Sequence, residues 1–231
     1  MIPTIEASPE EIYDIELEKT LLQANAKLAK ENRAQLDRHD ITAIDFMGAI
    51  GSGKTTLIGR MAAKLKDQFN LAMFNGDATT VDDVNLIAKQ GVPTVQLATI
   101  NGCHLDANLV GKALRKIDLN KVDLIFIENI GNLICPAEFP LGSRARVVVV
   151  SVTEGPYMVR KHPHMFLGAD IVVINKIDLA EVMGVNVEDL ARDVHTLKPD
   201  IKVMLTSCKT GAGVDKVAAA LLAIKESRAD A

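Results

Sequence analysis

Apolar and polar positions along this chain change period repeatedly, and the alternation predicts the fold. Residues 41–47 are apolar except for Thr42 and Asp45, whereas residues 56–65 place their apolar side chains on one helical stripe. The pair recurs downstream. Residues 71–77 read as a strand, followed by a helix over 81–90 with Thr80 as its cap and Gly91 beyond its end. A short strand over 95–98 precedes a helix over 104–117. Residues 122–128, 146–152 and 170–175 carry almost no polar side chain, as strands do when helices cover both faces of a parallel sheet. A helix over 187–197, a strand over 201–207 and a helix over 214–224 complete the series. No linker, internal repeat or low-complexity stretch interrupts it. The prediction is an α/β fold: a single doubly wound, mostly parallel sheet flanked by helices over residues 41–231, with ligands at the carboxyl ends of the strands.

Residues 1–40 read as an added N-terminal helix. Ser8 is placed as its cap, Pro9 at its first position and Glu11 at the capping-box position. Ile12, Ile15, Leu21, Leu22, Ala26, Leu28 and Ala29 then recur at roughly helical spacing, so the helix needs a surface to cover. That surface is either the domain or a second copy of the chain.

Composition narrows the class. With 231 residues, 48% of them apolar, the chain can bury one sizeable core, and with 3% aromatics and no Trp that core must be aliphatic. A net charge of −4 and no basic stripe argue against nucleic acid as a partner. No run approaches the roughly 18 apolar residues of a membrane span. Glu6, Glu10 and Glu11 stand where a signal peptide would carry basic and apolar residues. Three cysteines make no disulfide framework, and the expected location is cytoplasmic.

The chemistry gathers at strand ends. Gly48-Ala49-Ile50-Gly51-Ser52-Gly53-Lys54-Thr55 fills every fixed position of the phosphate-binding loop G-x-x-x-x-G-K-[ST], between a strand and a helix as that loop requires. Its backbone N–H groups would cradle phosphates as far as Thr56, Lys54 would reach the β- and γ-phosphates, and Thr55 would ligate Mg²⁺. Asn175-Lys176-Ile177-Asp178 follows a later strand. A carboxylate at Asp178 can accept from guanine N1–H and the exocyclic amine together; Asn175 is expected at the ring edge and the Lys176 stem over the base. Ser207-Cys208-Lys209 fits a further guanine-side loop. GTP is therefore the expected nucleotide. Asp77 and Glu128, each ending a strand, are expected with Lys54 to manage Mg²⁺ and the attacking water. No glutamine stands at an obvious water-orienting position, which predicts slow hydrolysis and GTP used as a timer.

Cys103 and His104 are adjacent, and Cys135 lies four residues beyond Glu128-Asn129-Ile130-Gly131. Thiolate and imidazole suit Zn²⁺ or Ni²⁺. The spacing matches no closed zinc motif, so simple packing of small thiols competes with metal binding on these residues alone. Three ligands leave a tetrahedral site one short, which suits transient holding. His162-Pro163-His164, with no cysteine or acid cluster nearby, reads as a solvated loop.

Taken in order, Asp45 to Thr55, Cys103-His104-Leu105-Asp106-Ala107, Glu128-Asn129-Ile130-Gly131-Asn132-Leu133-Ile134-Cys135-Pro136 and Asn175-Lys176-Ile177-Asp178-Leu179 resemble the HypB family, the nickel-incorporation GTPases of nickel–iron hydrogenase maturation. The likeness runs from about residue 20 to the C-terminus, and its specific part is the 128–136 element. It implies a GTP-dependent homodimer that binds Zn²⁺ or Ni²⁺ through Cys103, His104 and Cys135, sites being shared across the dimer. It also implies Mg²⁺ on Thr55, Asp77 and Glu128, and, with other maturation proteins, delivery of nickel to the hydrogenase large subunit. Residues 1–40 hold no Cys and only His39, so the N-terminal nickel-storage motifs of some family members are missing. The alternatives are a related chaperone for urease or a cobalamin enzyme, whose urease-type Cys-Pro-His motif is absent because Ala137 follows Pro136, a GTP-dependent phosphotransferase, or a regulatory GTPase with structural cysteines.

Overall fold

All seven strand pairings in the sheet are parallel. The computed structural model describes residues 4–6, 18–76, 87–88, 90–99 and 102–227. Its strands are β1 (Thr4–Glu6), β2 (Thr42–Met47), β3 (Leu71–Asn75), β4 (Thr94–Ala98), β5 (Leu124–Glu128), β6 (Ala145–Ser151), β7 (Ile171–Asn175) and β8 (Lys202–Leu205). They lie in the order β1-β4-β3-β5-β2-β6-β7-β8. Every residue of β2, β3, β5 and β7 is buried, as their near-continuous apolar sequences demand. From β2 the chain winds first to one side of the sheet and later, from β6 on, to the other. The loop after β2 therefore leaves the sheet where the winding reverses, the position at which such sheets bind ligands.

Helices α1 (Glu18–Arg38), α2 (Lys54–Leu65), α3 (Ala107–Leu114), α4 (Met158–Lys161), α5 (Pro163–Leu167), α6 (Val187–Leu197) and α7 (Val214–Glu226) cover the two faces. Leu57, Ile58 and Met61 of α2 and Val217 and Leu221 of α7 pack with Ile44, Phe46 and Phe126 on one face. On the other, Leu36 of α1 joins Leu109 and Val110 of α3 over Ala43, Ile125 and Ile127, while α4 to α6 cover Val148, Val150, Val172 and Ile174.

Helix α1 is fastened to the domain by polar bonds as well as apolar contact. Asn25 and Asn32, both buried, project from it. Asn25 accepts from the Ala107 N–H (2.8 Å) and donates to Pro140 O (2.9 Å), while Asn32 donates to Ala107 O (2.7 Å) and Leu141 O (3.1 Å). Gly142, at φ +94°, lets the loop approach so closely that a Cβ would lie 2.5 Å from Ala29 O.

Two expectations are revised, and others fall on residues that are not described. Residues 4–6 form an edge strand on β4 where a helix was expected, with Ile5 opposite Leu97; a three-residue pairing carries too little pattern to be seen in sequence. The cap residues Ser8, Pro9 and Glu11 lie outside the described residues, as does most of the helix expected over 81–90. The helix expected from His104 begins at Ala107, because Asp106 caps it by accepting from Leu109 N–H at 2.8 Å. Cys103 and His104 consequently lie on the preceding loop.

Candidate functional site

Residues 48–53 turn sharply out of β2. Gly48 adopts φ +148°, and a Cβ on it would sit 2.1 Å from the Val149 carbonyl oxygen; at Gly53, φ +99°, a Cβ would lie 2.3 Å from Asn175 Nδ2. Side chains are excluded at both positions, which keeps backbone close to whatever the loop encloses. Gly53 also stands at the N-cap of α2, so no side-chain cap takes up the N–H groups of that helix's first turn. Lys54 is 3% exposed and lies across the loop, its Nζ donating to Gly48 O (3.2 Å) and Ala49 O (3.1 Å). Thr55 donates to Glu128 Oε1 at 2.5 Å, joining two of the expected Mg²⁺ ligands. A hydroxyl and a fully buried carboxylate form a hard oxygen pair, the donor set Mg²⁺ favours. Asp77 lies outside the described residues.

Asn175, expected at the ring edge, also bonds to two neighbouring loops. Its Nδ2 donates to Ser52 O (2.9 Å), while its Oδ1 accepts from Thr206 Oγ1 (3.1 Å) and Cys208 N–H (3.1 Å). Buried, it ties the phosphate loop to β7 and to the loop after β8 through one Nδ2 hydrogen and its Oδ1. Lys176 takes a left-handed conformation, φ +61°, that turns the chain outward, and Asp178 is exposed. Ser207 and Cys208 are buried, Lys209 is exposed, and Ser207 Oγ accepts from Thr210 N–H. The two base-side motifs are therefore joined to the phosphate loop through one amide.

The ligand atoms of Cys103, His104 and Cys135 all lie within 4.8 Å of one another. His104 Nδ1 is 3.5 Å from Cys103 Sγ, and its ring stacks on Phe139 with centroids 3.8 Å apart. Burial lowers the His104 pKa, against the pull of Asp106 and Glu138, and so favours the neutral imidazole that binds metal. Burial and the adjacent Cys135 raise the Cys103 thiol, since two neighbouring thiolates repel without a cation between them. Cys208 stands apart, buried in the core against α2 and α7.

Between the two centres runs a polar network that the sequence reading did not single out. Asp45 is fully buried in β2, its carboxyl pushed up to about 6 by desolvation despite Arg146 3.8 Å away and a hydrogen bond from Asn129 (3.2 Å). Asn129 Oδ1 accepts from Leu105 N–H (3.1 Å), and Asn132 donates to Cys103 O (3.2 Å). The sequence signals for this network were the charge of Asp45 inside an apolar strand and the place of Asn129 and Asn132 in the 128–136 element.

A family profile described as "CobW/HypB/UreG, nucleotide-binding domain" matches residues 42–205. The chain is 47% identical over 203 residues to a protein of Methanocaldococcus jannaschii named "Probable hydrogenase maturation factor HypB", covering 88% of this chain and 92% of the relative. A crystal structure of the hydrogenase maturation factor HypB from Archaeoglobus fulgidus superposes with a TM-score of 0.84 at 39% identity, over 88% of this chain and 99% of that one. A structure of HypB from Helicobacter pylori in complex with nickel gives 0.83 at 34% identity, over 88% and 96%.

Proposed function

Because this chain belongs to the HypB family of hydrogenase maturation factors, within the CobW/HypB/UreG nucleotide-binding group, we propose that it is a GTP-hydrolysing metallochaperone that holds nickel for insertion into the large subunit of a nickel–iron hydrogenase. The observation that carries this reading is the convergence of Cys103, His104 and Cys135, whose ligand atoms lie within 4.8 Å of one another, with Cys135 on a segment that bonds to Phe46 of β2 and bridges to Gly48. A packing role for these cysteines fits poorly, since Cys103 is exposed while Cys208 is the thiol buried in the core.

On this reading the parts divide as follows. Residues 48–56 cradle the phosphates with backbone N–H groups, and Lys54 exchanges the carbonyls of Gly48 and Ala49 for phosphate oxygens. Asp178, exposed at the end of β7, reads guanine. Thr55 and Glu128, with Asp77, would hold Mg²⁺, which when bound neutralises phosphate charge. Turnover on this reading is slow, since no glutamine stands at an obvious water-orienting position in the sequence, so the nucleotide state lasts long enough to act as a signal. Ni²⁺ or Zn²⁺ is cargo. Three ligands leave room for a fourth, and a second copy of the chain would supply it through a face bearing Ile50 and Ile134, which are 69% and 65% exposed beside the site. The reading places the protein in the cytoplasm, with other maturation proteins as partners.

The test is nickel and zinc binding to the purified chain, with and without a slowly hydrolysed GTP analogue, in wild type and Cys135→Ala. Loss of one equivalent in the variant and dependence on nucleotide in wild type are expected. Unchanged stoichiometry together with indifference to nucleotide would refute the reading.

A further inference from the structure

Two asparagines that belong neither to the metal ligands nor to the phosphate cradle hold the loop between β4 and α3 in place. Asn129 is fully buried. Its backbone N–H donates to Phe46 O (3.0 Å), its Nδ2 donates to Asp45 Oδ1 (3.2 Å), and its Oδ1 accepts from Ile130 N–H (3.0 Å) and Leu105 N–H (3.1 Å). Leu105 directly follows His104. Three residues on, Asn132 donates to Cys103 O (3.2 Å), accepts from Ile134 N–H (2.9 Å) and pairs as an antiparallel bridge with Gly48, the first residue of the phosphate loop. Between them Gly131 lies flush on that loop. A Cβ there would stand 2.4 Å from Ile50 Cγ1 and 3.0 Å from the Ile50 backbone nitrogen.

These contacts leave little slack. Displacing the phosphate loop at Gly48 or Ile50 presses on residues 131 and 132, and the two asparagine amides pass that displacement to the backbone on either side of His104. Cys135 lies beyond Asn132 on the same segment, so the shift changes the spacing of Cys103 and His104 against Cys135. Metal affinity is steep in ligand placement, with bond lengths held to about ±0.2 Å.

We propose that Asn129 and Asn132 are positioning residues that set the Cys103–His104 pair against Cys135 according to the nucleotide held in the phosphate loop, and so carry the coupling between nucleotide and metal. This rests on the metallochaperone reading above. Coupled sites typically alter one another's affinity about 5- to 150-fold, and the two amides are the route for that factor here. A route through packed contacts becomes a physical claim only when the coupling itself is measured.

The measurement is a titration of the full chain with Ni²⁺, once with GDP and once with a slowly hydrolysed GTP analogue, followed by thiolate-to-nickel charge-transfer absorbance. Wild type gives a ratio of nickel dissociation constants different from one. In Asn132→Ala that ratio moves toward one, the charge-transfer band persists in at least one nucleotide state, and GDP affinity stays within about threefold of wild type, below the range of coupling factors. Asn132→Asp keeps the acceptor for Ile134 but loses the donor to Cys103, and is expected to behave like the alanine variant. Asn129→Ala leaves the buried Leu105 N–H without its acceptor and is the harsher test; if it does not fold, half-exposed Asn132 decides the matter alone. A wild-type ratio retained in the folded Asn132 variants overturns the inference and leaves the function standing. A wild type with no nickel band, or one indifferent to nucleotide, overturns both.

Discussion

Replacing Asn175 by alanine separates a structural tie from a base-reading contact. The substitution strands three buried partners: the Ser52 carbonyl, the Thr206 hydroxyl and the Cys208 N–H. A buried polar group left without its bond costs about 1–3 kcal/mol, and with partial recovery by hydroxyl rotation and entering water we expect a net loss of about 2–4 kcal/mol. In a chain of this size each kcal/mol lowers Tm by roughly 2–4 °C, so the midpoint should fall by about 5–15 °C. Urea unfolding measures the loss directly. Nucleotide affinity should fall too, because the amide holds the phosphate loop through Ser52, but it should fall alike for GDP, IDP and XDP. Asp178→Asn is the control. It removes the acceptor for guanine N1–H and the exocyclic amine and presents a donor that suits the 2-oxo group of xanthine, so preference should move from GDP toward XDP with stability unchanged. An Asn175→Ala protein within about 0.5 kcal/mol of wild type, below the 1 kcal/mol floor for even one stranded group, and with its guanine preference gone, would refute the reasoning.

Three further outcomes follow from the geometry. The pKa of Asp45 is about 6 in the fold against an ordinary 3.8, so the native state binds this proton more tightly than the unfolded chain does. Its contribution to stability is therefore full below pH 3.8, declines by about 3 kcal/mol in all as pH rises to about 6, and is flat above. Subtracting the urea stability of Asp45→Asn from wild type between pH 4.5 and 7 should expose that decline; a difference independent of pH would contradict the burial argument. Gly48→Ala forces a methyl to within 2.1 Å of the Val149 carbonyl oxygen at φ +148°, and should cost about 1–3 kcal/mol in urea unfolding along with GDP binding; a stable variant that binds GDP normally would count against the close approach. Ile134→Asp places a charge on the exposed apolar face and should hold the protein at monomer size in gel filtration with either GDP or a GTP analogue, whereas a nucleotide-dependent dimer in that variant would exclude this face.

The alternation of apolar strands with amphipathic helices was legible because burial on both faces of a parallel sheet leaves strands such as Ile171–Asn175 without polar residues. The phosphate loop was legible because Gly48 and Gly53 occupy positions that no side chain can enter, which makes residue type and backbone inseparable. The structural ties of Asn175 were not legible for the opposite reason. An asparagine at a strand end can serve a ligand, two neighbouring loops or both, and the ties to the loops show only in the placement of Ser52 and Cys208. Phe139, stacked on His104, carried no signal because its partner lies 35 residues away and nothing in its own neighbourhood implies an imidazole. The metal ligands fall between these cases. Their chemistry could be named from residue type, but their convergence needed the loop from β4 and the segment after β5 to be brought together by Asn129 and Asn132.

The grip of α1 on Ala107 has a practical side. Asn25 and Asn32 hold the N–H and the carbonyl of Ala107 at once, three residues beyond His104. A 21-residue helix is about 32 Å long, so α1 is a rod whose middle is clamped to the base of the metal loop. Any protein that grasped the exposed side of that rod would have a handle on the ligands without touching them. For the same reason, a shortened chain starting at residue 41 would lose its handle and the clamp at Ala107 together, and with them the fixed starting point of α3.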